Sequence, residues 1–356
     1  MTTRHPLAWG FCVVLLLGGA VASGSELGQR IADQIQVASY QDYLDNALYT
    51  HDGDNRGVGG PDHNPARDNI RTIFESFGLQ VEFHFFEFYG IDGWNVVATQ
   101  TGTVYPYAQY IVGAHYDSVD NPGADDDASG VAGLLEIARV ISQYDTEYTI
   151  KFIAFDMEEW GLIGSEAYVE DHINDDIRGM VQLDMIAYDD GDYATRIYGR
   201  SASNPLKYAV ADALTEYGNG LSVSVRGEMD ASDHAPFEWA GFQACLVIED
   251  GFGSNPCYHR ACDSVDTPNY ISYPYAADHV RSIAGFLADA AVVIEEPCEG
   301  DLDGDRDRDL EDLAQLLSNY GMTGGAEYED GDLDGDGDVD LSDLAALLAV
   351  YGIPCP

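Results

Sequence analysis

Short apolar runs alternate with longer segments of helical periodicity through most of the chain. Four runs are almost wholly apolar, namely 110–114, 150–155, 180–183 and 244–248. Strands that are buried on both faces of a sheet have this composition. Segments whose apolar residues recur at helical spacing lie at 66–77, 130–144, 166–173, 205–217 and 279–294. Because strands that alternate with helices build a mostly parallel sheet between helical layers, the pattern predicts an α/β domain.

The amino-terminal end of the chain departs from this pattern. Arg4 and His5 precede an apolar run at 11–17, and small residues follow as far as Ala22, which is the arrangement of a cleavable secretory signal peptide. The run is too short to span a bilayer, and no later stretch approaches the length of a transmembrane helix. We therefore expect a signal peptide over 1–22, no transmembrane segment, and a mature protein that is secreted, periplasmic or held at the cell surface.

An internal repeat follows a short linker near the carboxyl terminus. The sequence Asp-Leu-Asp-Gly-Asp at 301–305 returns at 332–336, and each copy leads into a stretch of helical periodicity that ends in Tyr-Gly. Two copies of one helical unit make a small all-α module. The linker, Glu-Glu-Pro, occupies 295–297. We therefore divide the mature chain into domains at 23–297 and 298–356.

The charge of the chain excludes two classes of partner. The sequence carries 63 acidic and 16 basic residues, for a net charge of −47 at pH 7. Such a surface repels nucleic acid and anionic membranes, so neither is an expected partner. Hydrophobic residues make up 46% of the chain, which is enough for a well-packed core.

Residues with metal-ligand chemistry follow the predicted strands. They are His115 and Asp117 after the first run, Glu158 and Glu159 after the second, Asp184 after the third, and Asp125-Asp126-Asp127 and His259 in two further loops. The carboxyl ends of parallel strands meet at one edge of a sheet, which is where α/β proteins bind ligands. Imidazole and carboxylate groups suit zinc, and this set is larger than one four-coordinate zinc requires. The sequence therefore predicts a paired zinc site with a bridging carboxylate.

Five motifs carry a resemblance to a known family. In chain order they are GAHYDS at 113–118, GADDDASG at 123–130, EEWGLIGS at 158–165, QLDM at 182–185 and NPCYHRACD at 255–263. Over roughly residues 30–295 the chain resembles the secreted bacterial co-catalytic zinc aminopeptidases of peptidase clan MH, of the leucyl aminopeptidase type. The resemblance implies a three-layer α/β/α zinc-peptidase domain with a mostly parallel central sheet.

The same resemblance implies a role for each candidate residue. The expected zinc ligands are His115 and Asp184 for one zinc, Glu159 and His259 for the other, and Asp126 as the bridge between them. Glu158 is expected to be the general base, and Asp117 is expected to orient His115. The family also implies a cis peptide bond after the bridging aspartate.

These roles imply an exopeptidase that uses two zinc ions to remove apolar N-terminal residues from extracellular peptides with a free amine. A carboxypeptidase or another exopeptidase of the same fold is the nearest alternative. A glutaminyl cyclase would keep a single zinc, which the three consecutive aspartates disfavour, and a non-catalytic binding relic would not need the complete ligand set. The segment 229–231, Met-Asp-Ala, departs from relatives that carry a tyrosine, arginine or cysteine there, so recognition of the amine and the side chain stays open.

The C-terminal repeat has the ligand spacing of calcium loops. The aspartates stand at loop positions 1, 3, 5, 7, 9 and 12, as Asp301, Asp303, Asp305, Asp307, Asp309 and Asp312 in the first copy and Asp332, Asp334, Asp336, Asp338, Asp340 and Asp343 in the second. Aspartate at position 12, and a helix only after the loop, resemble dockerin repeats. The resemblance implies one or two bound calcium ions and a cohesin-like or cell-surface partner. Position 6 should be glycine, which Gly337 satisfies and Arg306 does not, so the second loop is expected to fill first.

Export allows disulfide bonds among the five cysteines that follow the predicted signal peptide. Cys257 and Cys262 flank one short loop, and Cys298 and Cys355 bracket the acidic repeat. We expect these two pairs to form disulfides. Cys245 lies inside an apolar run and is expected to be a buried free thiol.

Overall fold

The computed structural model describes residues 25–294, 298–303 and 307–353. These residues divide into two compact units, and the division lies between Val293 and Ile294. Several predicted features lie outside the described residues, namely the signal peptide, the boundary after residue 297, Asp305, Arg306 and Cys355. Across the part of the chain that is described, no helix is both long and apolar enough to cross a membrane.

The helices of the first unit are α1 (Glu26–Asp33), α2 (Val37–Asp42), α3 (His63–Ser76), α4 (Ala128–Ile141), α5 (Ile163–Asp171), α6 (Asn204–Tyr217), α7 (His234–Trp239) and α8 (Tyr273–Ala290). Its strands are β1 (Gln80–Phe88), β2 (Ile91–Gln100), β3 (Tyr105–His115), β4 (Asp145–Thr146), β5 (Tyr148–Phe155), β6 (Asp176–Leu183), β7 (Ala194–Tyr198), β8 (Ser222–Val225) and β9 (Ala244–Glu249). A short strand, β10 (Val293–Ile294), lies at the division between the units. The second unit contains α9 (Leu310–Asn319) and α10 (Leu341–Val350).

Eight strands form one sheet in the order β1-β2-β5-β3-β6-β9-β7-β8. Its centre, β5-β3-β6-β9, is parallel and consists of the four strands that the apolar runs predict. The prediction of an α/β domain with a mostly parallel sheet is therefore confirmed. The edges differ from it, because β1 and β2 form an antiparallel hairpin that joins β5, and β7 runs antiparallel to β9.

Helix α4 is buried on almost every side, because all of its residues except Arg139 are buried. Leu134 and Leu135 lie in the main core, and replacing either with alanine would cost about 2–5 kcal/mol. Gly133 lets α4 approach α8 closely, because a Cβ atom there would lie 2.9 Å from Cγ2 of Val280. This packing holds the N-terminus of α4, together with the aspartates that precede it, in a fixed position.

The second unit has a small core between its two helices. Leu316 and Leu347 are fully buried there. Each helix begins with a capping box, in which Asp309 or Asp340 accepts a backbone N–H group and its own N–H is bound by the aspartate three residues later. The sequence repeat therefore corresponds to two similar helix starts, while the assignment to the dockerin family stays a prediction.

Candidate metal centre

The parallel strands bring the predicted zinc ligands to one edge of the sheet. The residues at this edge are His115 at the end of β3, Glu158 and Glu159 after β5, Asp184 after β6, Asp126 before α4 and His259 after β9. The side chain of Asp126 is 6% exposed, whereas that of His259 is 42% exposed. The cluster therefore has a closed side at the sheet and an open side at the loop that carries His259.

Asp126 joins two groups of candidate ligands. Its Oδ1 lies 3.3 Å from Nε2 of His115, which in turn lies 3.7 Å from Oδ1 of Asp184. Its Oδ2 lies 3.2 Å from Nε2 of His259, and the same nitrogen lies 3.2 Å from Oε2 of Glu159. One carboxylate thus faces two histidines, each of which has a second carboxylate beside it.

The spacing of these atoms fits zinc. Two ligands of a tetrahedral zinc, bound at about 2.0–2.1 Å, lie about 3.3 Å apart. The distances around Asp126 run from 3.2 to 3.7 Å and are close to that value. Two buried oxygens in the cluster are poorly satisfied among the described residues: Oδ2 of Asp126 faces Nε2 of His259 at 3.2 Å without an aligned hydrogen bond, and Oε1 of Glu159 has no hydrogen-bond partner. Burying carboxylate oxygens in this way is costly without compensation, which a cation at this position would supply.

Asp117 contacts both His115 and the turn that carries the two glutamates. Nδ1 of His115 lies 3.2 Å from the backbone oxygen of Asp117 and 3.5 Å from its Oδ1. The carboxylate of Asp117 accepts the backbone N–H groups of Glu158, at 3.1 Å, and Glu159, at 3.2 Å. A carbonyl or carboxylate on the second ring nitrogen fixes the orientation of a metal-binding imidazole. An orienting residue would make the contact with Nδ1 of His115, and the contact with the glutamate turn is one that the sequence did not suggest.

The three consecutive aspartates have three different surroundings. Asp127 caps α4 and also accepts the backbone N–H of His115 at 3.1 Å. Asp125 accepts the side-chain amide of Asn255 at 2.8 Å. Asp126, between them, faces the candidate zinc ligands, and the peptide bond between Asp126 and Asp127 is cis, as the resemblance implied. Capping of α4 therefore explains Asp127, which also lies within 4.8 Å of His115 and Asp184, whereas Asp126 faces both histidines.

The cysteines show which parts of the first unit are cross-linked. A disulfide joins Cys257 and Cys262, whose Cα atoms lie 5.2 Å apart, and it closes the loop that carries His259. Cys245 is a buried free cysteine, as predicted. The expected pairing of Cys298 with Cys355 involves a residue outside the described part and stays a prediction.

Burial shifts the pKa values of the two glutamates. It raises the pKa of the Glu158 carboxyl well above its ordinary value; the adjacent His115 opposes this shift, and the carboxylate of Asp233 adds to it. Burial also raises the pKa of Glu159, to about 7. Carboxyl groups with a raised pKa are common at catalytic sites, so the shifts single out both glutamates as candidate functional groups.

A pocket opens onto the cluster. Its lining consists of the polar residues Asp126, Glu158, Glu159, Asp184 and His259 together with Met185, Met229, Ala231, Ile248, Phe252 and Tyr258. The second group is apolar apart from the hydroxyl of Tyr258, and no arginine or lysine occurs among the described residues that line the pocket. A lining of this kind can hold a cationic group beside the carboxylates and an apolar group against the other wall.

Sequence reasoning missed residues that hold the cluster together. Arg56 is fully buried and donates to the backbone oxygens of Tyr116, Pro122 and Gly123, which follow β3. Asp263 accepts two backbone N–H groups of the aspartate run. Asp263 belongs to the NPCYHRACD motif, so the sequence did contain an indication of its importance. Arg56 lies in a polar stretch rich in glycine and aspartate, where one sequence offers nothing that distinguishes it.

The acidic loops of the second unit also bring carboxylates together. The groups are Asp301 with Asp303 and Asp312, Asp307 with Asp309 and Asp312, and Asp332 with Asp334 and Asp343, and within each group the ligand atoms lie within 4.8 Å of one another. Asp336, Asp338 and Asp340 lie on the same loop as the third group. Asp332 accepts the backbone N–H groups of Gly335 and Gly337, both at 2.8 Å. The φ angle of Gly337 is 90°, which accounts for the preference for glycine at position 6 of the loop.

Known proteins resemble the first unit. A family model described as Peptidase family M28 matches residues 95–284, a stretch that includes every candidate zinc ligand. Among curated proteins, the chain is similar to leucine aminopeptidase 1 of Aspergillus niger, with 30% identity over 204 residues that cover 51% of each chain. The chain therefore spans about half the length of the curated relatives it matches.

Solved structures show the same fold. The chain is similar to the LapA aminopeptidase of Legionella pneumophila, with a TM-score of 0.67, 22% identity and coverage of 78% of each chain. It is also similar to BSAP, a zinc aminopeptidase from Bacillus subtilis, with a TM-score of 0.51, 27% identity, and coverage of 58% of this chain and 51% of that one. The fold of the first unit is therefore one that aminopeptidases use.

Proposed function

Because this chain belongs to peptidase family M28, we propose that it is an aminopeptidase that hydrolyses the N-terminal bond of peptides with the help of two zinc ions. The observation that carries the proposal is the position of Asp126, whose two carboxylate oxygens face His115 and His259 at 3.3 and 3.2 Å. The leucine aminopeptidase and the zinc aminopeptidase among its relatives support the same activity.

Five residues would hold the two ions. They are His115, Asp184 and Oδ1 of Asp126 for one zinc, and Glu159, His259 and Oδ2 of Asp126 for the other. Two buried oxygens that lack an aligned hydrogen bond in the described part of the chain, Oδ2 of Asp126 and Oε1 of Glu159, fit such an occupant. When bound, a pair of zinc ions lowers the pKa of a water molecule and polarises a peptide carbonyl.

Glu158 is the residue that would move protons. Its Oε2 lies 4.0 Å from Nε2 of His115, so this carboxyl group is farther from His115 than the carboxylates of Asp126, at 3.3 Å, and Asp184, at 3.7 Å. Because burial raises its pKa, this carboxyl group can accept a proton from a water molecule and then donate it to the leaving amine. Asp117 holds the backbone of Glu158 and keeps the carboxyl group beside the site.

The charge and lining of the pocket favour a free N-terminal amine and an apolar side chain. The carboxylates of the cluster attract an ammonium group, and Met229, Ile248 and Phe252 offer an apolar wall. A carboxypeptidase would instead need a cation for the carboxylate of its substrate. Because the described lining residues include no arginine or lysine, we favour the aminopeptidase.

Three matched peptides of one apolar sequence test this polarity. One peptide has both termini free, one is acetylated at the N-terminus, and one is amidated at the C-terminus. We expect release of the N-terminal residue from the free and amidated peptides and loss of most activity on the acetylated peptide, because acetylation removes the charge that the carboxylates attract. Mass spectrometry identifies the product. Trimming of the acetylated peptide from its carboxyl end would show a carboxypeptidase, and formation of pyroglutamate from a further peptide that begins with glutamine would show a glutaminyl cyclase.

We further propose that the second unit is a dockerin-like module that binds one or two calcium ions. Two loops repeat one spacing of aspartates, and calcium takes oxygen ligands from loops with this spacing. The module would present its helices to a cohesin-like or cell-surface partner. The secretory pattern at 1–22 and the Cys257–Cys262 disulfide support a location outside the cytoplasm.

A further inference from the structure

We propose that Asp263 is a positioning residue that fixes the spacing between the bridging carboxylate and His259, an inference that rests on the proposed two-zinc function. Asp263 follows the loop that carries His259, and its side chain is fully buried. Its Oδ1 accepts the backbone N–H of Asp125 at 2.7 Å, and its Oδ2 accepts that of Asp126 at 3.1 Å. The carboxylate of Asp263 therefore connects the loop that carries His259 to the backbone of Asp126, the proposed shared ligand.

A backbone contact strengthens this connection. The N–H of Ala124 donates to the backbone oxygen of Asp263 at 3.1 Å. Three successive N–H groups, at 124, 125 and 126, are thus directed at a single residue. Buried N–H groups that are all satisfied by one partner hold the backbone in one position relative to that partner. The place of Asp126 relative to the loop of His259 therefore depends on Asp263.

The imidazole ring of His259 has fewer contacts that fix its orientation than the ring of His115. Nδ1 of His115 lies 3.2 Å from the backbone oxygen of Asp117. No hydrogen bond within the described ranges reaches Nδ1 of His259, although Tyr258 packs against its ring with the two centroids 3.9 Å apart. The imidazole is also 42% exposed. Its orientation is therefore set mainly by the loop to which it belongs.

The other end of that loop is anchored by Asn255. Its Nδ2 donates to Oδ2 of Asp125 at 2.8 Å and to Oε1 of Glu249 at 3.0 Å, and its Oδ1 accepts the N–H of Cys257 at 3.0 Å. These contacts hold the loop near the aspartate run, but they do not include the backbone of Asp126. Asp263 makes that contact, so its loss should alter the spacing between His259 and the bridge even while Asn255 remains in place.

The effect should be unequal for the two proposed zinc positions. His115 lies at the end of β3, and Asp127 holds its backbone N–H, so this ligand does not depend on the loop. His259 does depend on it. Losing an outer partner of a metal ligand usually weakens metal binding by about 10–100-fold. We expect this loss for the zinc held by Glu159 and His259, and little change for the other zinc.

Zinc titration of the full chain tests the inference. In Asp263→Asn an amide group replaces one acceptor and faces a backbone N–H donor, so the affinity for one zinc ion, the one held by Glu159 and His259, should fall by about 10–100-fold while the affinity for the other is retained. A chromophoric chelator measures both affinities. Asp266→Asn is the matched control, because Asp266 is exposed and its carboxylate contacts His51 and the backbone of Asp52. Excess zinc should restore most of the kcat of Asp263→Asn with little change in KM.

The outcomes separate this inference from the function on which it rests. If the substitution lowers both zinc affinities equally, or lowers neither, the proposed role of Asp263 is wrong and the two-zinc proposal is unaffected. Fewer than two zinc ions on the wild-type chain would overturn both. Melting of the metal-free proteins checks folding, and Asp263→Ser, which keeps one acceptor, replaces Asp263→Asn if that variant does not fold. If neither variant folds, Asp263 serves the whole fold and the proposal is wrong.

Discussion

The candidate metal centre of the first unit and the acidic loops of the second unit bring carboxylates together in different ways. In the first unit the candidate ligands are distant in sequence, from His115 to His259, and the ends of parallel strands bring them together. In the second unit each group comes from a loop of about twelve residues. The first arrangement requires a folded sheet before a metal can bind. The second allows a loop and the start of its helix to become ordered together with the ion.

The surroundings of the carboxylates differ in the size of the core behind them. Asp126 and Asp184 are buried, while the groups of the second unit combine buried carboxylates, such as Asp312 and Asp343, with exposed ones, such as Asp303 and Asp334. Carboxylates held close together repel one another unless a cation neutralises them. In the first unit a large core opposes that repulsion, but in the second unit only a small cluster around the two helices does so. Metal removal should therefore cost the first unit its activity and the second unit its structure.

The largest expected effect separates catalysis from metal binding in the first unit. Glu158→Gln should lower kcat/KM on an apolar aminoacyl substrate by about 10²–10⁴-fold, because the amide cannot accept a proton. Zinc content, measured by atomic emission, should stay at the wild-type value. Glu170→Gln, on an exposed position of α5, is the control and should change neither quantity. Loss of zinc from the Glu158 variant would mean that Glu158 is a ligand and that its role and that of Glu159 must be exchanged.

Selective metal removal tests the comparison itself. 1,10-Phenanthroline, which binds zinc and not calcium, should abolish peptidase activity and leave the far-ultraviolet circular dichroism nearly unchanged. Transfer to calcium-free buffer should have the opposite effect, with less helical signal and full activity. Calcium at a hundred times its Kd would stabilise the second unit by about 2.7 kcal/mol. If zinc removal unfolds the first unit, or calcium removal abolishes activity, the contrast between the two regions is wrong.

The same contrast explains what the sequence could predict. The aspartates of the loops and the apolar runs of β3, β5, β6 and β9 are local patterns, and local patterns are visible in one sequence. The hairpin of β1 and β2 was missed because β1 lies at the sheet edge and both ends of β2 are partly exposed, so exposed residues dilute the apolar pattern. Helix α8 begins at Tyr273, before the predicted 279, because Pro274 is tolerated in a first turn.

The separate roles of the candidate zinc ligands in the first unit were predicted only because five motifs resemble a family. Spacing alone could not assign Asp126 rather than Asp125 or Asp127 to the bridge, since the three are neighbours in one loop. What separates them is the direction of each side chain, which follows from contacts with residues far along the chain, such as Asn255. The roles of Arg56 and Asp263 also follow from contacts with residues far along the chain. Contacts of long sequence separation are a property of the fold, and a single sequence does not display them.

Acid stability should depend on the core of the first unit. His279, on α8, is fully buried, and burial lowers its pKa to about 4, whereas an unfolded histidine titrates near about 6.5. Between these values the unfolded chain binds more protons, so stability decreases as the pH falls from about 6.5 towards 4 and is about 2 kcal/mol lower at pH 5. His279→Gln should remove most of this difference in melting experiments near pH 7.5 and pH 5. The exposed His51, changed to glutamine, is the control, and unchanged acid sensitivity in the His279 variant would assign the effect to other groups.

The smallest expected effect distinguishes the two acidic loops from each other. Gly337 has a φ of 90°, and a residue with a side chain pays about 1–2 kcal/mol in the left-handed region. The first loop has Arg306 at the equivalent position, where a positive charge also opposes a cation. Arg306→Gly should therefore raise the calcium affinity of the first loop by about 5–30-fold, and Gly337→Arg should lower that of the second loop by a similar factor. Isothermal titration calorimetry of the full chain should show two unequal sites in the wild type, and exchanging both residues should reverse their order. Equal affinities in the wild type would mean that position 6 does not limit calcium binding, and that the two loops differ in sequence without differing in the conformation that the ion requires.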